Sequence, residues 1–312
     1  MPDDLDLPSL VDAGARTLAF GDDDDADLEV GPLAFGCWRF AGADVADAQE
    51  LIETALDLDM NLVDTADIYG RGHGGGGFGE AEELLGQVLA AAPELRDRMV
   101  LATKGGICAG VPYDSSPAYL EQACDASLRR LGVDVIDLYQ VHRPDLFTHP
   151  LDVAETLDGL VEAGKVRTIG ISNHTPAQTK AIMAYLEAPL VSTQPEYSAA
   201  HLQPLRDGTF DLAMEEGLAV LAWSPLAGGD LATGQGIRHE LLAVLDELAA
   251  REGVDRATLA LAFVLCAPSS PVAIVGTQQV DRLRQAKQAL EVHLDRIDCY
   301  RIIEASEGVP HP

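Results

Sequence analysis

Positive charge is what this chain has least of. Among 312 residues only 21 are lysine or arginine, against 51 aspartates and glutamates, for a formal net charge of −30. Lysine is scarcer still, confined to Lys104, Lys165, Lys180 and Lys287. A surface this negative repels phosphate backbones, which excludes nucleic acid as a partner and disfavours an acidic one. Abundant aspartate with little lysine suits multimolar salt, where the Debye length falls to about 3 Å or less and self-repulsion is screened. The composition therefore predicts work in a halophile's cytoplasm.

Long apolar runs are missing too. A membrane helix needs about 20 consecutive apolar residues, and the longest candidate, Ala257 to Ala267, reaches about half of that. The opening residues Met1 to Asp6 hold no basic segment followed by an apolar one, so no secretory leader is expected and the reading is cytoplasmic, with no membrane partner. Cys37, Cys108, Cys124, Cys266 and Cys299 are odd in number and include no Cys-x-x-Cys pair. They read as free thiols in a reducing compartment, not as a disulfide framework or a zinc knuckle. His73, His149, His201, His239, His293 and His311 show no ligand spacing with one another, so no metal is expected. Tyr-x-x-x-Lys is absent, which argues against one common solution to carbonyl chemistry. The tract Gly72 to Gly77 satisfies Gly-x-Gly-x-x-Gly only trivially. The preceding strand ends at Asp64, too far upstream for the tight turn of a Rossmann site, so the tract reads as a flexible loop.

What the chain does have is alternation. Residues 1 to 16 carry no period and read as an extension. Thr17 to Phe20 and Leu28 to Val30 flank the acidic run Asp22 to Asp25 and read as a hairpin closed by a solvated loop. Eight apolar, strand-like runs follow: Leu33 to Gly36, Asn61 to Asp64, Val100 to Thr103, Val135 to Val141, Val166 to Ile171, Val191 to Gln194, Ala219 to Trp223 and Val272 to Val275. Between and after them lie the helical segments Val45 to Leu58, Glu80 to Ala90, Ala118 to Leu131, Asp152 to Ala163, Pro176 to Leu186, Thr209 to Glu216, His239 to Arg251, Arg256 to Ala267 and Val280 to Leu290. Ser116-Pro117 and Thr175-Pro176 place proline at a helix start, where its missing N–H costs nothing. Eight such β-then-α units fit a closed parallel barrel better than an open doubly wound sheet. The prediction is an α/β protein: a (β/α)8 barrel with an N-terminal hairpin and an extra C-terminal helix over Asp295 to Ala305. It is read as one domain across residues 1–312, with a core over about 33–290.

In such a barrel reactive groups stand at the C-terminal ends of strands. Asp64 closes the second run, Lys104 follows the third, His142 follows the fourth, and Tyr69 lies five residues past Asp64. A buried strand end is a costly place for a charge unless it is paired. A phenol has a pKa near 10 and is a poor acid at neutral pH, and a nearby ammonium lowers that value. Lys104 is expected to do this for Tyr69, Asp64 to hold Lys104, and His142 to orient a carbonyl oxygen that Tyr69 protonates. Any one of these residues alone is more often core packing; the set on successive strand ends is what points to catalysis.

These residues carry a resemblance. Asp64-Thr65-Ala66-x-x-Tyr69-Gly70, Thr103-Lys104, His142-Arg143-Pro144-Asp145 and Gly164-Lys165-Val166-Arg167-x-Ile169-Gly170-Ile171-Ser172-Asn173 resemble the aldo-keto reductase family, in family order, over about Leu33 to Leu290. Gln194-Pro195-Glu196-Tyr197-Ser198 and Ala222-Trp223-Ser224-Pro225-Leu226 are similar to its general bacterial and archaeal oxidoreductase branch, of which this would be an acidic, haloarchaeal-type member. The resemblance implies a (β/α)8 barrel and a tetrad of Asp64, Tyr69, Lys104 and His142. It further implies that Ser172, Asn173 and Gln194 hold a nicotinamide carboxamide, that Trp223 stacks on that ring, and that Ser224 and Leu226 bind the pyrophosphate. Gly276, Thr277, Gln278, Arg282 and Gln285 would take the adenosine phosphate, and Gly36, Cys37 and Trp38 would lie near ribose and substrate. Many NADPH-preferring members carry lysine at the position of Gly276 and a Glu-Asn pair at Gln285-Ala286. Arg282 is then the guanidinium left for a 2′-phosphate, so NADP(H) is the preferred cofactor and NAD(H) a possible one. The expected activity is NAD(P)H-dependent reduction of a small aldehyde or ketone. The alternative is a dinucleotide-binding, redox-sensing subunit with little turnover. The loops expected to select the substrate are the glycine-rich loop, Ala109 to Ser116, Gly228 to Gly236 and the tail.

Overall fold

Eight parallel strands close on themselves. A computed structural model describes residues 7–19, 27–70 and 75–310. An antiparallel pair, β1 (Arg16–Leu18) and β2 (Leu28–Val30), precedes the barrel strands β3 (Leu33–Gly36), β4 (Leu62–Asp64), β5 (Val100–Gly105), β6 (Ile136–Val141), β7 (Val166–Ser172), β8 (Leu190–Gln194), β9 (Ala219–Ala222) and β10 (Val272–Val275). Each barrel strand pairs with the next in sequence, and β10 returns to β3 with Ala273 opposite Leu33. The helices are α1 (Val45–Asp57), α2 (Glu80–Ala91), α3 (Pro117–Leu131), α4 (Pro150–Glu162), α5 (Pro176–Met183), α6 (Thr209–Glu216), α7 (Asp230–Thr233), α8 (His239–Glu252), α9 (Arg256–Val264), α10 (Val280–Lys287) and α11 (Arg296–Glu307). No helix among the described residues is long and apolar enough to cross a membrane.

The strands read as unbroken apolar runs because both their faces are covered. β3, β4, β5, β6, β8 and β10 are buried at every position. Outward side chains such as Phe35, Val63, Leu101 and Ile169 join the core under the helices. Inside the cylinder, Ala34, Leu62, Val100, Leu138, Val191, Leu221 and Val272 meet Leu18, Leu28 and Val30 of the hairpin. Most of these barrel residues lie toward strand starts, so β1 and β2 plug the N-terminal end. The acidic turn Asp22 to Asp25, with Phe20, and residues 72–74 of the glycine tract, with Arg71 before them, lie outside the described residues.

The extension that carried no period is fixed by its backbone. Leu10 N–H donates to Leu294 O at 2.7 Å and Asp12 N–H to Leu265 O at 3.2 Å. Arg16 Nε reaches Ser270 O at 2.6 Å. Capping sets several helix starts: Thr175 and Gln178 form a reciprocal capping box on α5, and Asp295 and Asp298 another on α11. Some ends differ from expectation. The helix begun at Pro176 stops at Met183, three residues before Leu186, and the one begun at Arg256 stops at Val264 rather than Ala267. Within the loop 228–236 lies α7, bracketed by Gly229 and Gly234, both in the left-handed region. Four residues are too few to show a helical period, which is why the sequence reads as a loop there.

Candidate active site

The loop after β4 brings the phenol back over the strand ends. It continues along β5 by main-chain bonds, Thr65 N–H to Ala102 O at 2.8 Å and Asp67 N–H to Lys104 O at 3.0 Å. It then turns through Tyr69 N–H to Ala66 O at 3.0 Å. The Lys104 ammonium is wholly buried yet fully paired. It donates to Asp64 Oδ2 at 2.7 Å, Thr65 O at 2.8 Å and Tyr69 Oη at 3.2 Å. The other Asp64 oxygen accepts from Gln194 Nε2 at 2.9 Å and Gln140 Nε2 at 3.3 Å. His142 is fixed by its own N–H to Gly105 O at 2.8 Å. Its ring meets that of Tyr69 edge-on, centroids 5.8 Å apart. The four residues expected to act together do meet.

One electrostatic expectation is reversed. Burial drives the Tyr69 pKa up, Lys104 pulls it down, Asp64 pushes it up again, and the net direction is upward from 10.0. The expectation counted the ammonium and left out two opposing effects: loss of water around a phenolate, and the carboxylate that already cancels much of the ammonium's field. Tyr69 therefore keeps its proton at neutral pH, which suits a proton donor. Lys104 is pulled down by burial but raised more by Asp64 and Tyr69, and stays an ammonium. Burial, then Lys104 and Arg143, hold His142 well below 6.5, so its imidazole is neutral. Its Nδ1 is buried without a hydrogen-bond partner.

A second buried cluster, missed at the sequence level, sits behind the tetrad. Glu82 on α2 is wholly buried, accepting from Thr103 Oγ1 at 2.5 Å and Arg130 Nε at 2.7 Å. Asp67 is buried beside it with Oδ1 unpartnered. Burial foremost, then the Glu82 charge, push the Asp67 pKa up to about 8, against weaker lowering by Arg130, the Ile68 N–H and Lys104. A carboxyl raised from 3.8 stabilises the fold fully below its unfolded pKa, and that contribution is lost as pH rises through about 4 to about 8. Asp67→Asn removes this loss. Its melting temperature is expected to exceed that of the wild type by several degrees at pH 8 and to match it near pH 4. Parallel melting curves at every pH would refute the assignment.

The residues expected around a nicotinamide also converge. Ser172 Oγ donates to Gln194 O at 2.8 Å, and Asn173, at φ 61, donates through Nδ2 to Ser172 Oγ at 2.7 Å and His142 O at 3.2 Å. Trp223 Nε1 donates to Asn173 Oδ1 at 2.9 Å. Gln194, expected at the carboxamide, also donates its amide nitrogen to Asp64 and so steadies the carboxylate. Gly36 closes β3 so tightly that a Cβ would lie 2.7 Å from Ile274 Cγ2. Cys37 is wholly buried in the core and its thiol is pushed far up by burial, whereas Trp38 is half exposed. Of the pair, only Trp38 presents its side chain to solvent. Ser224 and Ala227 hold positive φ of 52 and 49, beside Gly228 and Gly229. Such strain at non-glycine residues persists where surroundings impose it. Arg39 Nη2 ties this loop to the end of β3 through Gly228 O at 2.6 Å. Gly276, Thr277 and Gln278 are half-buried after β10, and Arg282 and Gln285 stand exposed on α10, in the β10 sector and away from the tetrad on β4 to β6. The residues present thus fit a dinucleotide: a strained loop, a glycine-tight strand end and an imidazole atom left without a partner. Among the described residues no cluster of His, Cys, Asp or Glu could hold a metal ion.

A parallel barrel whose strand ends hold a tyrosine, a lysine, an aspartate and a histidine defines a class of oxidoreductase that works without a Rossmann domain. The chain belongs to the aldo/keto reductase family, whose model matches residues 32–307. It is similar to the 6-dehydroglucose reductase of Novosphingobium aromaticivorans, 48% identical over 90% of this chain and 93% of that protein. A 6-dehydroglucose reductase of Agrobacterium fabrum is 34% identical over 90% of this chain and 96% of that protein. The glycerol dehydrogenase of Gluconobacter oxydans superposes with a TM-score of 0.79 at 26% identity, over 95% of this chain and 97% of that one. The family uses nicotinamide cofactors, and the chain is an enzyme acting on carbonyl and alcohol groups.

Proposed function

We propose that this enzyme is an NADPH-preferring reductase of a hydroxylated aldehyde, a hexose oxidised at C6 being the first candidate by analogy with its relatives. The reading rests on one observation above the others: a single buried ammonium within 2.7 Å of Asp64 and 3.2 Å of Tyr69. In the proposed mechanism, the neutral imidazole of His142 donates an N–H to the carbonyl oxygen and orients it. The bound dinucleotide supplies the hydride that reduces the carbonyl carbon. Tyr69 gives its phenolic proton to the same oxygen, and Lys104 stabilises the phenolate left behind. Asp64 keeps Lys104 in place, and Gln140 and Gln194 keep Asp64 in place. Solvent then restores the phenolic proton. Ser172, Asn173, Gln194 and Trp223 would hold the nicotinamide, Ser224 and Leu226 the diphosphate, and Gly276, Thr277, Gln278, Arg282 and Gln285 the adenosine phosphate. The exposed rings of Trp38 and Tyr113, on loops after β3 and β5, offer faces for a sugar to rest on. We place the enzyme in the cytoplasm of a salt-adapted cell as a single barrel domain.

The test is a panel of aldehydes, including a hexose 6-aldehyde, assayed with NADPH and NADH side by side in concentrated KCl and in dilute buffer. Turnover is expected with NADPH ahead of NADH, highest in KCl and failing in dilute buffer as unscreened acidic groups push the fold apart. Tight dinucleotide binding with no turnover on any carbonyl would replace this reading by the redox-sensing one.

A further inference from the structure

In a chain with 51 acidic and 21 basic residues, an arginine without a carboxylate is the exception. Most arginines here do find one, as Arg130 finds Glu82 and Arg251 finds Asp298. At the barrel mouth, Arg39, Arg143 and Arg282 form no ion pair among the described residues. Arg39 is engaged with Gly228 O, and Arg282 stands in the β10 sector expected for the adenosine phosphate. Arg143 is left over, and its place differs. It follows His142 directly at the end of β6 and is half-buried. Its Cζ lies 5.5 Å from the centre of the Trp223 ring.

The acid nearest in sequence is turned away. Asp145 accepts from Ser115 N–H at 3.0 Å, Phe147 N–H at 2.9 Å and Thr148 Oγ1 at 2.7 Å, so its carboxylate is consumed in bracing its own loop. Among the described residues, five N–H donors in a planar fork thus find no acceptor, on the residue next to the imidazole that would receive the carbonyl. The two charges that act on His142, Lys104 and Arg143, are both positive. With Lys104 held against Asp64, Arg143 is what leaves an unbalanced positive charge at the substrate end of the mouth, on a molecule that is strongly negative as a whole. A guanidinium in this state matches a carboxylate, phosphate or sulfonate in geometry and charge.

We infer that Arg143 is a specificity-determining residue that binds an anionic group on the carbonyl substrate, so that this enzyme prefers acidic aldehydes to neutral ones of the same size and takes a hexose 6-aldehyde better with an anionic substituent than without one. The inference rests on the reductase reading above. Because the anion is bound before and during hydride transfer alike, its contribution falls on KM and not on kcat.

The test compares matched substrates with saturating NADPH, at the lowest KCl that keeps the protein folded: 4-carboxybenzaldehyde against 4-nitrobenzaldehyde, and glyceraldehyde 3-phosphate against glyceraldehyde. The wild type is expected to favour the anionic member at least tenfold in kcat/KM, and added KCl to shrink that ratio. Arg143→Ala should raise KM for the anionic members at least tenfold and leave the neutral ones within about twofold. Arg143→Lys should recover part of the preference. Arg143→Gln, which keeps a flat polar group against Trp223, serves if the alanine variant loses its fold. NADPH affinity, read from quenching of tryptophan fluorescence without aldehyde, should stay within about twofold. No preference in the wild type, an equal loss on neutral aldehydes, or an equal loss of NADPH affinity would each overturn the inference. A wild type inactive on every aldehyde would instead bring down the reductase reading, and this inference with it.

Discussion

Tyr69→Phe is expected to lower kcat by a factor between about a hundred and ten thousand, the range a well-placed general acid contributes. The change removes one oxygen and little else. The ring keeps its edge-on contact with His142, and Lys104 keeps its bonds to Asp64 and Thr65 O. Melting temperature and dinucleotide affinity should therefore stay close to those of the wild type, so the lost rate reports chemistry and not folding. The pH dependence follows from directions already given. The phenol is raised above 10.0, so wild-type reduction should hold steady through neutral pH and fall only on the alkaline side. His142 is held well below 6.5 and adds no limb near neutrality. A phenylalanine variant within tenfold of wild-type kcat would remove Tyr69 from the mechanism.

Lys104→Met is expected to abolish turnover and also to cost stability. The substitution leaves the Asp64 carboxylate buried with two amide donors and no countercharge. Breaking such a pair from one side costs roughly 3 to 5 kcal/mol. By contrast, Lys180 and Glu215 are both more than half exposed, and an ion pair of that kind is worth about 0 to 1 kcal/mol. The two should also respond differently to salt, because screening reaches the surface pair and hardly touches the buried one. The double variant Asp64→Asn with Lys104→Met should regain most of the lost stability and none of the activity. Denaturant unfolding of the four proteins gives the coupling directly. A single variant as stable as the wild type, or a double variant that turns over, would contradict this account.

The barrel was legible because its strands are covered on both faces, which writes them as unbroken apolar runs. Leu33–Gly36 and Val272–Val275 match the sequence reading residue for residue, and the other barrel strands differ by one or two residues at an end. The tetrad was legible for a related reason: an ionisable residue closing an apolar run, as at Asp64, Lys104 and His142, announces itself. What stayed hidden depends on partners far apart in the chain. Nothing near Glu82 signals that Thr103 and Arg130 will enclose it, and nothing near Asp67 signals a buried proton. Gln140 looks like an ordinary strand polar residue, and Gln194 like a cofactor contact alone, until the closed sheet turns both toward Asp64. The acidity of Tyr69 was misjudged because composition reveals neighbouring charges more readily than the loss of water around them.

Below its rim the cylinder is packed, not hollow, with the hairpin closing its base. Leu18, Leu28 and Val30 fill its floor, so traffic has one doorway. Whichever guest seats itself deeper must arrive first and leave last, and the other must queue behind it. Compulsory order in the kinetics would then follow from the architecture of the floor, before any residue at the rim has taken part.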